Sequence, residues 1–587
     1  MRRLALAAFA LSLAFDAAPG FGARPDSAAL IEAARVALDR GDGIDGEMKL
    51  RAALEKGAVR DEVAAWMGKA YLAQNDRDQA RQWLESGDFS ARTAADGWRA
   101  LGLLEQLDGN LQASGRAYDK ALALLPNDAS LWVEIGRLRY ADGEQMLAIE
   151  AAEHAFALGP DNVRALEFQG QLARDRYGLR AAIPWFERAI KRDPKDVSVL
   201  LEYAATLGEL GRATEAVAVT RQTLELSPKN PRAYYLQAVI AARAGNYRLA
   251  RSLLTRAGDK LDAALPGRLL LRGVVELAAG NTAAAEEALE AVLRVRPDCQ
   301  QAKDLLARAI YRGGEYRYVT LRFADDIARG DASPYLLTTV ARAYEALGDR
   351  LRAGELLDRA ARPQEAPLRV VPGQGEIGGL FAQGKTEAAR AAVESALRAK
   401  PGFYDNQALA GDVELVAGRT QAAQGHYATA AMIRMSESLF QRRFEAYVAA
   451  DDPTGAKRLV DHYLWENPLS RSALRVAARL AIGAGDLGRA HAILSWLRDT
   501  GDASDVRLLC DLAMVEAHAG NPDEARGSAL AAYRLQRSSP LAAQALGYSY
   551  ALPGGSVTAA RALLDKAQAL VGLTPAIVDA RSALERQ

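Results

Sequence analysis

The stretch WRALGLLEQLDGNLQASGRAYDKALALLP, residues 98–126, decides the fold, because WVEIGRLRYADGEQMLAIEAAEHAFALGP at 132–160 repeats its layout. Trp98, Leu101, Gly102, Gly109, Ala121 and Pro126 are answered 34 residues on by Trp132, Ile135, Gly136, Gly143, Ala155 and Pro160, with Tyr118 added in the first copy and Ala148 in the second. Pro126, Pro160, Pro194 and Pro228 each follow the last by 34 residues. A fixed period of this length marks stacked supersecondary units. Trp98 and Leu101 share one face of a first helix. Gly102 and Gly136 let a second helix approach closely, and Gly109 and Gly143 close the turn between the two, where a left-handed backbone suits glycine. Ala148 and Ala155 are small where neighbours cross, and each proline ends a second helix. No such unit buries its apolar face alone, so the units must stack.

A weaker copy runs through Leu269, Gly273, Gly280, Ala285, Leu289 and Pro297. The skeleton resembles the tetratricopeptide repeat, W-x2-L-G…A…F…A…P. That resemblance implies an all-α fold, a right-handed superhelical solenoid of tandem helix-turn-helix repeats. Carried along the chain, the register predicts about sixteen units. The first starts near Ser27 and is degenerate. Later units are marked by Gly211 and Ala216, Gly245 and Ala250, Gly348 and Ala353, Gly418 and Ala423, Gly485 and Ala490, and Gly520 and Ala525. Thr574 and Pro575 start a capping helix over 574–587. The rhythm breaks at 363–379, which holds Pro363, Pro367, Pro372, Gly373, Gly375, Gly378 and Gly379. It reads either as a joint between arrays at 24–362 and 380–573, or as a loop inserted in one superhelix.

The 587 residues exceed what one compact core serves, as a repeat array requires. Lysine plus arginine equals aspartate plus glutamate at 74 each. This balance offers no global attraction to nucleic acid or an anionic membrane. Cys299 and Cys510 are too few for a disulfide framework and form no CxxC metal motif; two buried or half-buried thiols are expected, with one long-range bridge as the alternative. Arg2 and Arg3, the apolar run Leu4 to Phe15, and the small residues to Ala23 read as a signal peptide over 1–23. The expected location is therefore periplasmic or secreted, in a bacterium. No further segment is apolar for long enough to span a membrane.

Nothing in the chain points to catalysis. His154, His426, His462, His491 and His518 sit in separate units with no metal-ligand spacing, and GxSxG and Walker-type motifs are missing. No enzyme activity, cofactor or metal is expected. The resemblance implies instead that first helices line a concave groove through their second, fifth, ninth and twelfth positions. Early units place Arg99, Gln106, Arg137, Tyr140, Arg164, Gln171 and Arg174 there. The middle units turn apolar, with Leu201, Ala205, Tyr235, Val239, Leu270, Val274 and Leu277, before Asp304, Arg308, Tyr311 and Arg342 restore polar chemistry. Exposed contiguous apolar residues mark a partner site, although burial is their ordinary use. The ninth positions Lys69, Leu103, Arg137, Gln171, Ala205 and Val239 include no Asn, which sets aside the chaperone-tail clamp of the family. The expected partner is a segment of another envelope protein, held by Arg137, Tyr140, Arg174, Leu201, Tyr235, Val239, Leu270, Val274, Arg308 and Tyr311. A part in exopolysaccharide export is a narrower alternative, and an RNA-reading helical repeat is the alternative from another class.

Overall fold

The computed structural model describes residues 25–258, 265–329, 332–361, 377, 379–380, 383–503 and 505–586. The expected signal peptide and nearly all of the irregular joint at 363–379 lie outside these. Among the described residues there are 33 α-helices and no strand. They form successive antiparallel pairs, such as Ala94–Leu107 with Leu111–Leu124 and Val163–Arg176 with Leu179–Arg192. The described residues fall into two compact units, one within 25–142 with 147–159, the other within 143–146 with 160–586.

The proline ladder works as expected and carries a second signal. Second helices stop at Leu124, Leu158, Arg192 and Leu226, just short of Pro126, Pro160, Pro194 and Pro228. Two residues past each proline stands Asp128, Asn162, Asp196 or Asn230, whose side chain accepts the N–H of N2 or N3 and caps the next first helix. The prolines' carbonyls are used as well: Trp132 Nε1 donates to Pro126 O at 2.9 Å, and Tyr234 Oη to Pro228 O at 3.1 Å. Gly109 and Gly143 take φ of +81° and +83° at the turn inside the pair, a left-handed backbone that costs glycine little.

The glycine at the eighth position has a partner. A Cβ on Gly102 would stand 2.6 Å from the Tyr118 ring, and one on Gly170 2.6 Å from the Phe186 ring. Tyr118 and Phe186 lie on the second helices and are fully buried. First helices of successive units also touch directly, as Pro231–Arg243 does Pro266–Ala278. One core cluster runs without interruption from Leu277 to Ala360. At the far end Thr574 Oγ1 accepts from Ile577 N and Pro575 opens the helix Pro575–Glu585, which buries Ile577, Ala580 and Leu584.

Inside the larger unit the stack is not held by neighbours alone. Arg176 Nε donates to Met432 O at 2.8 Å across 256 residues, and Met435 N to Asp175 O at 2.7 Å. Glu466 Oε2 accepts from Ala181 N at 3.0 Å, across 285 residues. Gly178, the N-cap of the helix Leu179–Arg192, has no side chain to cap with, and Glu466 serves that helix start instead. Gly178 has φ +128°, and a Cβ there would strike Glu466 Cβ. Arg180 lies 4.7 Å over the Trp465 ring.

Candidate functional site

Within each compact unit the first helices of successive repeats touch one another, and ion pairs stitch their polar parts. In the smaller unit Arg99 grips Glu134 with both Nε and Nη2, at 2.7 and 2.8 Å, and reaches Asp128 at 3.3 Å. Gln106 accepts from Tyr118 Oη, while Arg137 and Tyr140 are half-buried. In the larger unit Glu202 receives Arg174 at 3.0 Å and Arg232 at 2.9 Å. Burial opposes its charge, but the two guanidiniums hold its carboxyl below the usual range. Arg174 and Arg99 therefore have partners inside the array and join successive repeats.

The apolar strip divides. Leu201 and Leu277 are only 3% and 4% exposed, and Leu277 belongs to the core that continues into the next units. They are packing residues, a correction to the expected strip. Tyr235, Val239, Leu270 and Val274 are half-buried on the two adjoining first helices Pro231–Arg243 and Pro266–Ala278. Tyr235 Oη passes 2.9 Å from where a Cβ on Gly267 would stand, so the missing side chain admits the phenol. Leu270 leans on the core from its edge.

Further along, Asp304 accepts from Gln300 Nε2 at 2.8 Å and Ser333 Oγ at 3.3 Å, and burial pushes its carboxyl up to about 6. Tyr311 packs against the same core with its ring 5.3 Å from that of Tyr316. Arg308 is exposed, and Arg342 pairs with Glu345 at 2.7 Å.

A cavity of about 140 Å³ lies among the helices Arg471–Gly483, Leu487–Leu497 and Val506–His518. Its walls include Arg475, Arg479, Ile482, Arg507 and Asp511 over apolar Leu494. Arg475 is paired with Asp505, Arg479 and Arg507 are exposed, and burial pushes the Asp511 carboxyl up. Counting back from the turn glycines Gly485 and Gly520 puts Arg475, Arg479, Ile482 and Arg507 on the same offsets as the earlier groove residues. The signal was present in the sequence.

Among the described residues no group of three or more His, Cys, Asp or Glu is placed to hold a metal ion. His154 stacks edge-on to Trp132, His426 bonds Gln407, and His518 lies flat on Tyr548. Cys299 and Cys510 are unbonded thiols, half-buried and buried respectively. No helix of the described residues is long and apolar enough to cross a membrane.

Fold and face together define an α-solenoid whose surface suits the binding of other proteins. The chain carries tetratricopeptide repeats: two sequence models of the tetratricopeptide repeat match parts of it, one at 179–240 and the other at 133–197, 270–316 and 475–542. It is 26% identical over 141 residues to Protein FlbA of Caulobacter vibrioides, covering 24% of each chain. It is 24% identical over 315 residues to the CTR9 homolog of Arabidopsis thaliana, covering 49% of this chain and 26% of that one. The chain thus spans about a quarter of the length of these curated relatives. Among solved structures, the Cut9–Hcn1 hetero-tetramer of APC/C aligns over 96% of both chains, with 13% identity and a TM-score of 0.38.

Proposed function

We propose that this protein is a scaffold that captures a segment of another protein on its first-helix face. The observation that supports the reading most directly is the set Tyr235, Val239, Leu270 and Val274, four apolar side chains left half-open on adjoining first helices. Apolar side chains that packing does not finish covering favour an apolar partner, at about 25 cal/mol per Å² removed from water. Exposed Arg308 would add a donor for carboxylates or main-chain carbonyls at one end of the strip. The basic N-terminus and the apolar run after it favour a partner in the bacterial envelope, and an exopolysaccharide-export complex is one such setting.

A photo-crosslinking residue at Tyr235, placed in the native cell, tests this. A discrete adduct is expected, and V239E/L270E should abolish it while helicity and melting temperature hold. An adduct of equal yield in the folded double variant refutes capture at this strip. Salt-dependent binding of single-stranded RNA, unaffected by the same double variant, would move the reading to the RNA-binding class.

A further inference from the structure

One interaction recurs at a fixed place in the repeat, and one copy of it is altered. A glutamate on a first helix, almost fully buried, receives a basic side chain from the second helix of the preceding unit. Arg81 meets Glu105 at 2.6 Å, Arg251 meets Glu276 at 3.0 Å, and Arg390 meets Glu414 at 3.1 Å. Glu105, Glu276 and Glu414 are each 8% exposed. The fourth copy is Glu516, 2% exposed, and its neighbour is His491, with Nε2 3.7 Å from Oε1. Here alone among these four pairs the cation is one that comes and goes near neutral pH.

The exchange leaves Glu516 poorly served. Its Oε2 is buried and accepts no hydrogen bond. Burial pushes its carboxyl above the usual range, whereas hydrogen bonds from Arg81 and from Arg419 hold those of Glu105 and Glu414 below theirs. The groups facing Glu516 are His491, Arg498 in the turn beyond that helix, and Ser528 and Glu524 on the helix Pro522–Leu535. Ser528 is a hydrogen-bond partner and Glu524 opposes the charge, so His491 and Arg498 are the cations available.

We infer that the contact between the helices Leu487–Leu497 and Val506–His518 is an acid-tightened joint, closed when the His491–Glu516 pair holds one more proton. A proton on the imidazole gives the carboxylate the cation that the arginine pairs carry permanently. A proton on the carboxyl instead removes a buried charge. Burial of Glu516 makes the folded pair hold that proton more firmly than the unfolded chain does, so this joint's stability is present at acid pH and is lost as pH rises above the ordinary carboxylate value of about 4.3. The proposal concerns other units than the apolar strip and stands independently of partner capture there.

Amide exchange of the full chain tests it, with residues 506–518 followed at pH 5.5 and 7.5 after correction for intrinsic rates. The wild-type protein should be about threefold better protected at pH 5.5, the scale of a partly exposed ion pair. H491R should show equal protection at both values, and E516Q should lose the acid gain. An acid gain in H491R equal to that of the wild type overturns the proposal. If H491R fails to fold, the imidazole NMR titration of the wild-type protein decides: its midpoint should fall in E516Q, and an unmoved midpoint overturns the inference.

Discussion

Gly170 shows how closely a single position is constrained. The Phe186 ring rests where its Cβ would be, at 2.6 Å, and Phe186 is fully buried, so neither can yield cheaply. G170A is expected to lower stability by about 2 kcal/mol, within the range for overpacking, measured by denaturant titration. Asp304 offers a titratable counterpart. Its carboxyl, raised by burial to about 6, binds a proton more tightly folded than unfolded. The folded state is therefore favoured at low pH, and that advantage is lost as pH rises from about 4 to 6. D304N should flatten this part of the stability–pH curve, and melting temperatures of both proteins from pH 3.5 to 7 read it out. The sequence displayed these residues and their offsets. It did not display the ring above Gly170 or the enclosure of Asp304, because both depend on side chains brought in by another helix.

At the scale of the helix, the residue two past each proline matters as much as the proline. Asp196 accepts from Ser198 N and Val199 N at 2.9 and 3.1 Å. D196A should cost about 1 kcal/mol, seen as earlier fraying of the helix Val197–Glu209 in amide exchange. Helix pairs and their ends were legible because caps, turn glycines and prolines are local signals. The unit after Cys299 was less so. Its second helix breaks into Tyr316–Arg322 and Ala324–Ala328 around a fully buried Phe323, although no proline or glycine stands between them. The binding face was legible only in part, for a similar reason. Helical offsets say which way Leu201 and Leu277 point, but not that the surrounding units cover them.

Across the larger unit, the links from residues 175–181 to 432–466 change what kind of repeat protein this is. A stack whose units meet only their neighbours unfolds piecewise, as a one-dimensional chain of couplings. Here Arg176, Asp175 and Ala181 are tied to Met432, Met435 and Glu466, so the helices near 180 and those near 450 should open together. E466Q, which keeps an acceptor but loses its charge, should separate their exchange rates modestly. G178A, whose Cβ would strike Glu466, should do so strongly. Equal rates in both variants would show that the two regions are coupled by some other route. Nothing periodic in the sequence announces these contacts, since they join residues more than 250 apart and use a different residue type at each point.

The same clasp has a mechanical meaning. An open helical coil lengthens under tension by small rotations shared among all its joints, so it behaves as a soft spring with no threshold. A coil whose loops are pinned by the Glu466 carboxylate and the Arg180–Trp465 contact should hold its length until the pin shears. Only then would it pay out slack. Pulled at its own two ends, the larger unit should act as a tether with a yield point rather than as a shock absorber.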